Sequence, residues 1–241
     1  MEKVADSPLA PILHDPKFRF ERKFVFEQAD PKNIIQRVLR NPFGFEEVFH
    51  LRKVNNIYFD DANFNFYKQN VEGVAERKKL RLRWYGNQTE TITDPTVEIK
   101  IKYGEVGDKV SYKLSGTSFD LGGEEVKIIH QRLVEGTADR PRISRAFHNL
   151  QPTLLNTYER RYFLSFCGKY RITVDFNQQF FNPNYPDFEK SKIAIEDVIV
   201  ELKYALEDDR NARQVSQYIG TRLSKNSKYV RGINLLYHPQ F

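Results

Sequence analysis

Alternation at period two, repeated in segment after segment, is the feature that most constrains this chain. Between Arg77 and Tyr85 it reads R-K-K-L-R-L-R-W-Y, with Arg77, Lys79, Arg81 and Arg83 in one phase and Leu80, Leu82 and Trp84 in the other. A strand sends successive side chains to opposite faces, so such a segment carries a row of cations on one side and an apolar row on the other. The same arrangement returns in R-F-E-R-K-F, where Arg19, Glu21 and Lys23 oppose Phe18, Phe20 and Phe24. It returns again in V-E-I-K-I-K, with Glu98, Lys100 and Lys102 on one face. Y-E-R-R-Y-F-L puts Arg160 in phase with Tyr158 and Tyr162, R-I-T-V-D-F aligns Arg171, Thr173 and Asp175, and V-E-L-K-Y aligns Glu201 and Lys203.

A sheet with one wet, charged face is the ordinary meaning of alternation. Like charges about 6.8 Å apart along a strand repel by about 0.6 kcal/mol in water and about 2.4 kcal/mol at an effective dielectric of 20. An exposed row is therefore affordable. Two details favour an enclosed one instead. The charged faces are cation-rich, each with at most one carboxylate, whereas solubilising surfaces mix signs. The opposite faces are large and apolar and need cover from helices. Closing the sheet would turn the cations inward, around water and a polyanion.

The chain of 241 residues, 40% hydrophobic and 14% aromatic, has material for a core, and its net charge of +6 favours anionic partners. No apolar run approaches the roughly 20 residues of a membrane span, and the N-terminus lacks a signal-peptide core. A soluble cytoplasmic protein is expected. Cys167 is the only cysteine, which excludes an internal disulfide, and it is expected to be buried. The five histidines lack metal-ligand spacing, and there is no glycine-rich phosphate loop. Nucleic-acid binding is disfavoured because no aromatic stacking platform stands out on the charged faces.

Residues 1–16 read as a loose arm and 17–241 as one domain. Strands are expected at about Phe18–Phe26, Val48–Phe59, Gly73–Tyr85, Thr96–Tyr103, Lys109–Leu114, Asn156–Phe166, Tyr170–Asn177 and Val198–Ala205. N-Q-T-E-T-I-T-D-P reads as a hairpin connection, and G-E-V-G-D as a turn. Asp30-Pro31 opens a helix that Asn41-Pro42 stops. Helical periodicity marks G-G-E-E-V-K-I-I-H-Q-R-L-V, R-I-S-R-A-F-H-N-L and Asp208–Leu223. A Lys-rich tail with N-S-K-Y-V-R-G follows.

Taken together, R-x-E-x-K, Y-F-D-D, R-K-K-L-R-L-R-W-Y-G, V-E-I-K, Y-E-R-R, R-I-T-V-D, V-E-L-K-Y and S-K-Y-V-R-G resemble the VTC domain, over residues 17–233. This is the polyphosphate polymerase domain of the vacuolar transporter chaperone, within the CYTH-like superfamily of triphosphate tunnel metalloenzymes. The resemblance implies an α+β fold, an antiparallel eight-stranded β-barrel tunnel with helices packed outside. It implies a transferase that moves the ATP γ-phosphate onto polyphosphate with Mn²⁺ or Mg²⁺. A triphosphate or polyphosphate hydrolase and a non-catalytic polyanion-binding module are the alternatives.

By the same resemblance Arg81, Arg83, Lys203 and Glu201 are the catalytic residues. Lys23, Arg77, Lys79, Lys100, Lys109, Lys113, Arg160, Arg171, Lys225 and Lys228 would bind substrate, with spacing that does not decide between Lys109 and Lys113. Glu201 and Glu21 would hold the metal, and Glu98 is a further helper or an ion-pair partner. Hydrolytic members open with E-x-E-x-K, whereas Arg19 replaces the first glutamate here, which leans toward the polymerase type. Family members that make polyphosphate sit beside a sensor domain and membrane helices. This chain shows neither, which leaves a membrane or regulatory protein partner unidentified.

Overall fold

The computed structural model describes residues 19–86, 91–103, 106–121, 126–139 and 141–238. The arm expected at 1–16 lies outside them, as do Phe18, residues 87–90 of the expected hairpin connection, 104–105 of the expected turn, and 122–125 at the head of the second expected helix.

The strands are β1 (Arg19–Phe26), β2 (Phe45–Asp60), β3 (Glu76–Tyr85), β4 (Thr91–Thr93), β5 (Thr96–Tyr103), β6 (Val106–Lys113), β7 (Ser118–Asp120), β8 (Gln151–Ser165), β9 (Arg171–Phe181), β10 (Ile193–Ile195) and β11 (Val198–Ala205). Helices α1 (Pro31–Leu39), α2 (Asn65–Glu72), α3 (Val126–Gly136) and α4 (Pro141–Phe147) lie between them, and α5 (Asp209–Gln217) and α6 (Lys228–Tyr237) follow β11. Nine strands form one antiparallel sheet in the order β10-β9-β11-β1-β6-β5-β3-β2-β8, and β9 also pairs with β8. Hydrogen-bonded pairing therefore returns to its starting point. Each of β1, β2, β3, β5, β6, β8, β9 and β11 has a partner on both sides. Among the described residues the join between β1 and β6 is a single pair, Arg19 with Gly107. The expected hairpin connection instead contains β4, which pairs with β7 in a separate two-stranded sheet.

Alternation sets what each face meets. Leu80, Leu82 and Trp84 of β3 pack with Val97, Ile57, Phe59, Leu133 and Phe147 in a core beneath α3 and α4. Phe24, Ile172, Val174, Val200 and Leu202 pack under α1 and α5 with Ile34, Val38, Ala212 and Val215. Asp30 caps α1 by accepting from the Lys32 amide, and Pro31 fills the first turn, as the sequence predicts.

Two helices differ from expectation. D-D-A-N-F-N-F-Y reads as a separator, yet it leads into α2, because the buried Asp60 accepts the amides of Phe66 and Tyr67 and supplies a cap from one strand-end residue. The Lys-rich tail contains α6, capped by Ser227 through the Val230 amide. Its Tyr229 and Ile233 pack with Tyr58, Leu154 and Phe180 in a third core cluster. The helix expected over Asp208–Leu223 ends at Gln217. Cys167 is exposed, contrary to expectation, because it sits in the tight turn between β8 and β9.

Candidate functional site

Pairing registers bring the charged faces together. Lys23 stands opposite Glu201, and Glu21 opposite Lys203, across β1 and β11. Arg81 faces Glu98 and Tyr58, and Arg83 faces Asn56. Lys100 is paired with Lys109, and Arg160 with Asp175. Three carboxylate-centred groups result.

In the first group, Lys23 Nζ lies 2.9 Å from Glu21 and 3.9 Å from Glu201, while Lys203 Nζ lies 2.7 Å from Glu201. Lys100 donates to Glu21, and Lys23 also donates to the Asn226 carbonyl at 2.9 Å. Burial disfavours charge on Glu21, but the ammoniums of Lys23, Lys100 and Lys203 outweigh it and hold the carboxyl well below its usual range. For Glu201, burial and the neighbouring Glu21 push upward, and Lys203, Lys23 and Lys100 again prevail downward. Burial brings Lys100 down to about 8, against the upward pull of Glu21, and the nearby Lys23 adds to the fall.

The second group centres on Glu98. Arg81 donates from Nε at 2.8 Å and Nη2 at 2.5 Å to its Oε2, Arg83 Nη1 lies 3.5 Å away, and Lys109 donates at 2.9 Å. Tyr58 and Tyr158 hydroxyls accept from Arg81 and Arg83, each at 3.2 Å, and Asn56 accepts from Arg83 Nε at 2.9 Å. Burial opposes the Glu98 charge, yet the two guanidiniums and Lys109 hold its pKa well down. In the third group the fully buried Asp175 receives a bidentate fork from Arg160, at 2.5 and 2.7 Å, and a bond from Lys228 at the start of α6. Lys79 donates to the Ser227 hydroxyl at 2.7 Å. Its pKa is well lowered, by burial first and then by Lys23 and Lys100.

Lys23, Lys79, Arg81, Arg83, Lys100, Lys109, Arg160, Lys203 and Lys228 thus lie in or beside these groups with Glu21, Glu98 and Glu201. The structure separates Lys109, on Glu98, from Lys113, whose ammonium is 3.1 Å from Asp94. Arg77 turns to the Val74 carbonyl at the start of β3. Arg171 and Lys225 are exposed. Asp175, Tyr58, Asn56 and Tyr158 join the groups without having been assigned a role from sequence. Asp175 was legible as the phase-mate of Arg171, but Asn56 sits in N-N-I-Y, where no alternation of charge marks the face.

Among the described residues no group of three or more His, Cys, Asp and Glu is placed to hold a metal ion. Glu21 and Glu201 nonetheless fit a shared cation. They stand on adjacent strands around one ammonium, Lys23 Nζ lying 2.9 Å from Glu21 Oε1 and 3.9 Å from Glu201 Oε2, so two carboxylates already converge on a single cationic position. Two carboxylates plus phosphate oxygens of a ligand are the usual surroundings of Mg²⁺.

A family model describing the VTC domain matches residues 18–237. The chain belongs to the VTC domain family. No curated protein matches it by sequence. Among solved structures, an adenylate cyclase candidate from Bacillus halodurans is 14% identical over 89% of this chain and 97% of its own, with a TM-score of 0.51. A candidate from Vibrio parahaemolyticus is 11% identical over 87% and 95%, with a TM-score of 0.49. An adenylyl cyclase candidate from Hippeastrum, described as having a dominant triphosphatase activity, is 13% identical over 89% and 94%, also at 0.49. The VTC domain described above is therefore similar in fold to the Bacillus halodurans protein. None of its described helices is long and apolar enough to cross a membrane.

Proposed function

We propose that this VTC domain is a metal-dependent polyphosphate polymerase, and that the returning sheet is an eight-stranded tunnel holding the polyanion. The observation that carries the reading is the convergence of Lys23, Lys79, Arg81, Arg83, Lys100, Lys109, Arg160, Lys203 and Lys228 around Glu21, Glu98, Asp175 and Glu201, nine cations to four carboxylates among the described residues. Phosphoryl transfer needs charge neutralisation and in-line positioning more than a covalent nucleophile. Arg81 and Arg83 offer planar forks to non-bridging oxygens, and Lys203 and Lys100 point charges. A divalent ion held by Glu21 and Glu201 would add charge neutralisation on the phosphates.

A terminal oxygen of the polyphosphate chain attacks the γ-phosphorus of ATP. The bond from that phosphorus to the β-phosphate oxygen breaks, ADP leaves, and the chain is longer by one phosphate. The attacking oxygen is already anionic near neutral pH, so the step calls for no base. Hydrolysis would require water to lose a proton. Glu21, Glu98, Asp175 and Glu201 are poor acceptors for it, since burial is outweighed at each by adjacent cations that depress the pKa. The lack of a carboxylate base thus leans toward transfer, and Lys100, brought down to about 8, is the side chain left to take a proton in hydrolysis.

The test is purified protein with ATP and Mn²⁺, with products resolved on a gel and by phosphate release. Long chains are expected; free phosphate alone would overturn the polymerase reading. Arg83→Ala and Lys203→Ala should each cut chain synthesis at least tenfold while leaving the melting temperature within a few degrees. Wild-type synthesis by both variants would remove these residues from the site.

A further inference from the structure

The end of the ring where β2 begins and β8 ends carries a second arrangement. Phe49 pairs with Tyr162, and Arg52 with Arg160. Residues three apart in a regular strand point to opposite faces, yet Phe49 and Arg52 share one. Register shifts between Glu47 and Phe49 and between Phe49 and Arg52 re-aim the segment, as bulges do. The Arg52 guanidinium carbon then lies 4.7 Å from the Phe49 ring centroid, 5.4 Å from Tyr85 and 5.5 Å from Tyr162. Phe49 and Tyr162 meet edge to face at 5.6 Å. Phe49 and Tyr85 remain 50% and 52% exposed.

This cluster leads inward without a break. Arg160 lies 5.9 Å from the Tyr162 ring and 5.2 Å from Tyr158, and Lys228 lies 4.4 Å from Tyr158. Aromatic faces at the mouth pass into cations behind them. That sequence of surfaces matches a molecule with a planar ring at one end and a polyanion at the other. We propose that Phe49, Arg52 and Tyr85 form the docking platform for the base of a nucleoside triphosphate whose phosphates extend toward Arg160 and Arg83. The assignment rests on the tunnel reading above. Guanidinium and ring faces select by stacking, so purines are favoured over pyrimidines with little distinction between adenine and guanine.

The experiment is calorimetric binding of ATP, GTP, UTP and tripolyphosphate in the absence of divalent metal, so that nothing turns over. Phe49→Ala and Tyr85→Ala should weaken ATP and GTP about five- to tenfold and leave tripolyphosphate within twofold. Arg52→Lys, which keeps the charge and loses the planar face, should behave likewise. Unchanged ATP affinity in all three, or equal losses for ATP and tripolyphosphate, would overturn the base platform and leave the tunnel reading standing. Failure of the wild-type protein to bind tripolyphosphate would overturn the tunnel reading and this one with it.

Discussion

Lys100 gives the site a pH dependence whose sign can be worked out. Burial lowers its pKa to about 8, and Lys79 is lowered for the same reason with Lys23 and Lys100 beside it. A bound polyanion favours the charged ammonium and raises both values, so binding above pH 8 takes up protons. ATP completes its ionisation about two pH units lower, near the second phosphate ionisation of about 6. As far as Lys100 sets it, metal-free ATP affinity should therefore fall as pH rises through about 8, by up to about tenfold per unit above it. Lys100→Met should bind more weakly at pH 7.5 and show a flatter decline, as titration calorimetry across pH 7–10 would read; an identical slope would rule Lys100 out as a proton-linked contact. Residues such as Arg81, Arg83, Lys100 and Glu201 were legible in the sequence because their ladders are regular and period two maps directly onto faces. Arg52 was not, because two register shifts precede it. Cys167 was misread because burial preference says nothing about a turn.

The same contrast holds for elements. Strands β1, β3, β5 and β11 match their expected spans within a few residues, while β8 begins at Gln151 and β9 runs on to Phe181. Those extensions continue into the third core cluster, where Leu154 and Phe180 meet α6. Neither partner was visible alone. Gly232 weakens α6 as an autonomous helix, and only its packing explains it. A Cβ built there would lie 2.5 and 2.7 Å from the Leu154 methyls and 2.8 Å from the Phe180 ring. Gly232→Ala should therefore destabilise the protein by roughly 1–3 kcal/mol despite its better helix propensity, measured by urea denaturation; a stabilised variant would show that α6 does not pack this closely. The helix is also tied by Tyr229 to the buried Asp60, which caps α2, so α2, α6 and the end of β2 share one carboxylate. α6 also begins at Lys228, so a shift of this helix would reach the Asp175 group directly.

For the whole molecule, a surplus of buried cations means that the empty state carries repulsion that a ligand removes. Tripolyphosphate at about 100 times its dissociation constant should stabilise the native state by about 2.7 kcal/mol, which for a chain of this size corresponds to a melting shift of roughly 5–10 °C. Chloride at matched ionic strength should produce little of it; an equal chloride effect in thermal melts would point to general screening. The class of fold was readable from alternation and from the ordered motifs, but the order of strands around the sheet was not, because pairing between distant segments leaves no local mark. β1 shows this best. Its long ladder is with β11, roughly 170 residues further along the chain, and among the described residues the one other strand pair it makes is with β6. At about 5–20 residues per second of synthesis, β1 waits roughly ten to forty seconds for its partner to be made, with Phe20 and Phe24 on one face and cations on the other. The nascent chain is thus obliged to carry an aggregation-prone edge until β11 has been made, and slow, chaperone-sensitive maturation follows from where β1 finds its place.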